Sequence, residues 1–353
     1  MWKTLKCEVE VITPMFLGGA DGRTAELRAP SIKGLLRFWW RAINNSDNLQ
    51  QLKEKEDKIF GSSDAGKSSF SIKLLYDSIN PSKNSLPSHL IDVKSGKKSF
   101  KINILEYLSY GCCEYNKNIR RNEVISEYFV PNTRFIILFL YNNIDKFKDV
   151  LKSLYYLNAF GGLGAKSRNG FGSFRVLNRE IFKPIGEEYI KNVIPTKDIL
   201  NKMINNRNTT DYLSFANGLR LFKAKNIFDS WDKSLAEIGK IYREARLNLE
   251  GSHIYMKRQY IGAPLNTPTR NNPNGGFKSF LERHAKPYFL KVIKEDDNKF
   301  SAYILFLPSN YCASMTEDRD GKKLSDWIQK NKEFEQICEN FNNYLSKKME
   351  TLI

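Results

Sequence analysis

Lys33, Arg37 and Arg41 recur at every fourth position of the segment SIKGLLRFWWRA. On a helix that spacing sets the three cations on one face, with about 6 Å of rise between neighbours. Such a row suits a sugar-phosphate backbone, because a guanidinium grips phosphate through two parallel hydrogen bonds. Trp40 adjoins the row and offers a ring to stack on a base or to cover an arginine. The plainer reading is a solvated helix face. Gly34 inside the segment costs about 1 kcal/mol relative to alanine, so packed backbone or a ligand is expected close to it.

The stretch GGLGAKSRNGFGSF, residues 161–174, has a second kind of chemistry. Gly161, Gly162 and Gly164, with two further glycines by residue 172, permit positive φ and can turn backbone N–H groups toward an anion. Lys166 and Arg168 add charge, and Phe171 adds a face for stacking. The alternative is a flexible hairpin without a ligand.

Three further patterns compete. Residues 61–68, GSSDAGKS, fit the phosphate loop G-x-x-x-x-G-K-[ST]. That motif needs a buried strand before it and a helix after it, whereas KEKEDKIF precedes it and the strand-like SFSIKLLY follows. Asp21 stands in the glycine-rich TPMFLGGADG, where a nuclease aspartate could sit but a turn-forming one is favoured. His253, Tyr255 and Lys257 alternate, so a strand would give them one face for acid–base work. We favour a basic strand there, with Lys257 and Arg258 as RNA contacts. Neither His89 nor His284 has such neighbours, and no cofactor or metal site is expected. The five cysteines form no CxxC pair and read as buried apolar groups in a reducing compartment.

Charge narrows the class of partner. The net charge is +17, and residues 151–300 alone hold 26 Lys+Arg against 14 Asp+Glu. Residues 301–353 hold 7 against 8, so the surplus is localised and points to one polyanion-binding surface. No apolar run approaches the ~18–20 residues of a membrane span, and MWKTLKCEVEV lacks a signal-peptide block. A cytoplasmic location is the expectation.

The elements that must position these groups follow from periodicity. Leu5, Cys7, Val9 and Val11 alternate as a half-buried strand. Helices are expected from Pro30 to Ile43, over 49–60, and from Phe147 through Leu157. Phe70–Leu74 alternates as a strand, and FIILFLY, 135–141, reads as a strand buried on both faces. A short strand over 174–177 closes an α+β domain compatible with a ferredoxin-like βαββαβ sheet. Later, helices are expected over 231–249 and 325–348, with PYFLKVIK and FSAYILFLP pairing around EDDNK. The stretch 266–276, NTPTRNNPNGG, is a loop by composition. No pattern is evident in 76–100 or 178–230.

TPMFLGGADG, APSIKGLLRFWWRA and the glycine loop, taken together, resemble the RAMP superfamily, and within it the first Cmr subunits of type III-B CRISPR complexes. KPYFLKVIK and FSAYILFLPS resemble that family's second domain, so the likeness covers most of the chain. The resemblance implies two ferredoxin-like domains, here 1–180 and 181–353. It implies a non-catalytic subunit at one end of an antiviral ribonucleoprotein, touching guide RNA, target RNA and other RAMP subunits. By the same analogy Lys33, Arg37, Arg41 and the loop 161–172 are the RNA contacts. An RNA endonuclease acting through Asp21 or His253 is the second reading, and a phosphate-loop nucleotide binder the third.

Overall fold

The computed structural model describes residues 1–46, 48–95, 98–205, 207–250, 254–262, 266–269, 272–318 and 320–353. The chain begins with β1 (Lys3–Val11), α1 (Ala29–Ile43), α2 (Leu49–Phe60) and β2 (Phe70–Leu75). An insertion follows: β3 (Pro81–Ser82), the hairpin β4 (Leu90–Ser95) and β5 (Lys98–Asn103), α3 (Ile104–Leu108), the hairpin β6 (Cys113–Asn116) and β7 (Arg121–Val124), and β8 (Tyr128–Phe129), which pairs with β3. Then come β9 (Arg134–Tyr141), α4 (Ile144–Phe160) and β10 (Phe174–Val176). The first sheet runs β10-β1-β9-β2, antiparallel throughout. That is the order 4-1-3-2 of a ferredoxin-like βαββαβ unit.

After a 3₁₀ turn (Arg179–Ile185), α5 (Glu187–Lys191) and α6 (Lys197–Ile204), the chain repeats the design. The elements are β11 (Arg220–Lys223), α7 (Trp231–Leu249), β12 (Asn266–Thr269), β13 (Asn272–Lys278), β14 (Tyr288–Asp296), β15 (Lys299–Phe306), α8 (Trp327–Lys348) and β16 (Glu350–Thr351). The second sheet runs β14-β15-β11-β16, the same antiparallel order counted from the other edge. Both halves are therefore ferredoxin-like, and the protein is α+β.

Burial explains the two sequence textures. In β14, Phe289 and Ile293 join the core of α1 and α4, while Tyr288, Leu290 and Val292 join that of α7 and α8. Tyr303 and Leu305 of β15 divide from Ala302, Ile304 and Phe306 in the same way. The second sheet is thus covered on both faces, which is why its strands read as continuous apolar runs. The order of layers is first sheet, α1 and α4, second sheet, α7 and α8.

Two expectations are corrected here. FIILFLY is not buried on both faces: Phe135, Ile137 and Phe139 are buried, while Ile136, Leu138 and Leu140 on the other face are only half-buried. Residues 266–276 are not an unpaired loop, because β12 and β13 pair there with a register shift between Thr267 and Thr269. A two-stranded ladder is made by main-chain groups and leaves little trace in side-chain pattern.

A buried carboxylate ties the sheets. Glu10 of β1, 1% exposed, receives Arg134 of β9 (2.8 Å), Arg175 of β10 (2.9 Å) and Lys294 of β14 (3.2 Å). Burial by itself raises the Glu10 pKa, but the hydrogen bonds from Arg134 and Lys294 outweigh it and hold the carboxyl below its ordinary value. Because the folded value is depressed, this contribution is present above the ordinary carboxylate range and is lost as pH falls through it. Glu10→Ala leaves three cations facing one another. It should cost roughly 3 kcal/mol in chemical denaturation at neutral pH, the low end for breaking a buried pair because Arg134 reaches solvent.

Candidate nucleic-acid interface

The stripe on α1 forms as expected, and the neighbouring helix sets one carboxylate against two of its three cations. Glu56 of α2 lies 3.6 Å from Arg37 Nε and 3.7 Å from Arg41 Nη1, with its own side chain 7% exposed. Arg37 Nη2 also donates to the Gly61 carbonyl. The Lys33 ammonium sits 5.4 Å over the Phe70 ring, and partial burial beside Arg37 lowers its pKa. Trp40 is not a stacking platform: it is 2% exposed and packs edge-on against Phe60. The apolar face of α1, formed by Ile32, Leu36, Trp39, Trp40 and Ile43, is wider than a single row. Gly34 is exposed, and a Cβ there meets nothing within 4 Å, so tight backbone packing does not explain it.

The glycine loop is a joint. Gly164 has φ +87°, and a Cβ on it meets the Phe16 carbonyl oxygen at 2.4 Å. The N–H groups expected to face an anion are used inside the chain: Ala165 donates to Phe16 O (2.7 Å), Leu163 to Gly172 O (2.9 Å) and Gly172 to Pro14 O (2.9 Å). Gly161 and Gly162 are buried, and the Gly161 carbonyl accepts from Lys291 Nζ at 2.8 Å. Phe171 is fully buried, edge-on to Phe16, so it cannot stack on a base. Arg168 lies between the rings of Phe38 and Phe289, 5.3 and 4.8 Å from their centres, and donates to Lys286 O at 2.7 Å. Burial pushes its pKa down to about 10.

The remaining sequence candidates scatter. His253 lies outside the described residues. Tyr255 and Lys257 belong to no strand, and a 3₁₀ turn, Arg258–Ile261, begins next. Arg258 is 8% exposed, with Nε donating to Arg246 O and Nη2 to Glu250 O, whereas Lys257 is exposed. Residues 61–68 follow a helix and precede β2, the reverse of a phosphate loop. Asp21 closes a turn, accepting from the Thr24 hydroxyl and from the Arg23 and Thr24 N–H groups, which holds its pKa down to about 2. His89, read as lacking neighbours, faces Asp232 at 2.7 Å. Among the described residues no cluster of three metal-ligating side chains occurs.

The structure brings a different set together, where α3 and the glycine loop meet α7. Arg246 Nη1 donates to Tyr107 OH at 2.8 Å, and the Arg243 guanidinium lies 5.8 Å from the centre of that ring. The Lys286 ammonium sits 4.0 Å over Tyr242 and donates to Asn169 Oδ1 at 2.6 Å. Asn169 in turn donates to Leu108 O at 2.6 Å, and Lys166 stands beside Gly111. Burial, then the charges of Arg246 and Arg168, push the Lys286 pKa well below its ordinary value. Arg246 Nε is buried without a hydrogen-bond partner. Among the described residues no carboxylate pairs with Lys166, Arg243, Arg246 or Lys286. Partly buried cations without counter-charge are costly, and an anion such as phosphate removes that cost.

The RAMP superfamily profile matches residues 8–175. The Cmr1-2 subunit of a CRISPR Cmr system from Pyrococcus furiosus is 28% identical over 188 residues, spanning 48% of this chain and 92% of that protein. The Cmr1-1 subunit from the same organism is 24% identical, across 97% of this chain and 95% of its own length. The crystal structure of Cmr1 from Pyrococcus furiosus superposes with a TM-score of 0.56 at 19% identity, covering 99% of this chain and 98% of that one, and so shares the fold. The matched stretch supplies Tyr107, Lys166 and Asn169 to the cationic cluster, while Arg243, Arg246 and Lys286 come from beyond it. Sequence reading missed those three. The signals were the surplus in 151–300 and the spacing Lys240-x-x-Arg243-x-x-Arg246, which a glycine-centred search passes over.

Two outcomes test these placements. Arg37→Ala leaves Glu56 with Arg41 as its one remaining cation and removes the donor to the Gly61 carbonyl, so it should lower stability by about 1–2 kcal/mol in urea titrations while changing RNA affinity less than twofold. His284, packed against Tyr311 and Phe334, is lowered to a pKa of about 4 by burial and by Arg168. Its contribution is complete above the ordinary value near 6.5 and declines as pH falls toward 4. His284→Phe should therefore remove up to about 3 kcal/mol of acid sensitivity in stability measured across that window.

Proposed function

We propose that this chain is a non-catalytic, RNA-binding subunit of a type III-B CRISPR effector complex, contacting guide and target RNA and neighbouring RAMP subunits. The observation that carries the RNA-binding part is the uncompensated group Lys166, Arg243, Arg246 and Lys286. Its chemistry matches a phosphodiester backbone, with Tyr107 beside it as an aromatic surface. The subunit part is supported by relatives named as Cmr1 subunits and matched along most of their length. The domain division at 180/181 belongs to this proposal. Residues Ile181, Phe182, Leu200, Leu213 and Phe215, which lie between the two sheets in sequence, pack on the first core.

The alternative endonuclease reading has Asp21 as its candidate, with both carboxylate oxygens accepting hydrogen bonds inside its own turn. Labelled single-stranded RNA kept with the purified chain and magnesium should stay intact. Cleavage that disappears in Asp21→Ala would overturn the non-catalytic assignment.

RNA affinity should fall with salt by about 0.7 log units per log unit of salt for each phosphate held. Arg243→Glu and Lys286→Met should each weaken binding by about one to two decades and reduce that slope by roughly one contact, for every RNA sequence alike. A slope near zero in fluorescence anisotropy, or full affinity in both variants, removes the RNA-binding reading. A tagged copy should draw down other RAMP subunits and a short guide RNA from its host.

A further inference from the structure

The second ferredoxin-like unit carries a cavity of about 650 Å³ between α8 and the ends of β11 and β15. Its size falls within the range of small-molecule sites, about 300–1,000 Å³. Five asparagines line it: Asn217, Asn310, Asn331, Asn342 and Asn343. Two are already committed to the wall. Asn331 accepts from the Tyr311 and Cys312 N–H groups and donates to Cys312 O, and Asn310 donates to Asp211. Asn342 uses only its oxygen, accepting from Tyr288 OH. The exposed side chains of Asn217 and Asn343 make no hydrogen bond with any described residue. A fixed polar wall therefore stands behind exposed amides that a ligand can reach.

Charge in the cavity decides the class of ligand. Arg220 and Lys332 are balanced by Glu335 and Glu339, so the lining is neutral overall. A neutral pocket does not suit a polyphosphate or a run of phosphodiesters. It suits one uncharged group with adjacent donors and acceptors, and a nucleobase is such a group. Asparagine pairs through both amide atoms with the N6 and N7 edge of adenine, and carboxylates take amino protons. Trp327 and Ile328 add apolar surface on which a ring can lie.

We infer that the cavity receives one unstacked base of single-stranded RNA, with adenine preferred. This rests on the RNA-binding reading above, which supplies the strand. The cationic group reads backbone and should be indifferent to sequence, so any base preference of the chain originates in this cavity.

The test uses the full chain with homopolymeric single-stranded RNAs of the four bases, in anisotropy titrations beside thermal melting. The native chain should bind oligo(A) about tenfold more tightly than the least favoured homopolymer, the scale of one good amide–base pair. Asn217→Ala/Asn343→Ala replaces two exposed side chains, so melting should be unchanged while the preference collapses and the salt slope stays. Lys286→Met should do the opposite, lowering affinity for all four polymers and leaving their ratio intact. Equal binding of the four by the native chain, or a preference that survives the asparagine double variant, overturns the base pocket while RNA binding stands. Absence of any RNA binding by the native chain overturns both.

Discussion

Leu163 O stands where a Cβ on Gly172 would be, and Gly164 is pressed on the backbone of Phe16. Only glycine admits that contact, and both positions have positive φ. The loop after α4 is thereby clamped to the segment after β1, and Leu290 N donates to Arg168 O to continue the contact into β14. Arg168 fills the seam between Phe38 of α1 and Phe289 of β14. The relation of the two ferredoxin-like units depends on this joint. So does the cationic group, whose members are drawn from both sides of it.

A sequence shows where charges are made, whereas a fold decides which ones remain uncancelled. The α1 stripe has the regular spacing that attracts attention, yet α2 follows directly and delivers Glu56 to it. The same proximity that makes two consecutive helices pack makes their opposite charges meet. The cations of α7 recur at every third position and face α3 and the glycine loop. The groups that meet them there are hydroxyl, amide and carbonyl, while the α3 carboxylate, Glu106, accepts from Asn122. Potential accumulates where neutral partners fill the shell.

Secondary structure was largely legible, and its causes are local. The helices over 49–60 and 231–249 end where expected, with Gly61 capping the first at φ +76° and the second carrying its apolar residues at helical spacing. Paired apolar runs revealed β14 and β15 because both of their faces are covered. The β3–β8 insertion was illegible: its strands are two to six residues long and, apart from buried β8, largely exposed or half-buried where described, so their pairing leaves no periodic signature. The candidate site is visible in the sequence only as a bulk surplus of charge. Glycine with cations was read as an anion cradle, whereas the N–H groups that would form one are spent on the joint.

Placing the cationic group on the joint has a physical consequence. On the proposed reading, a nucleic-acid backbone that met Arg243, Arg246 and Lys286 on one side and Lys166 on the other would bridge the two units, and its binding energy would favour their observed arrangement over any in which they part. Lys286 transmits this directly. Its ammonium is fixed by Asn169 of the glycine loop, and its carbonyl accepts from Arg168, so one residue connects ligand, loop and seam. Burial, with the charges of Arg246 and Arg168, lowers the Lys286 pKa, so its ammonium holds its proton less firmly than a free lysine does. An anion brought into contact would oppose that shift, so a nucleic-acid backbone on the proposed site would itself stabilise the charge that meets it.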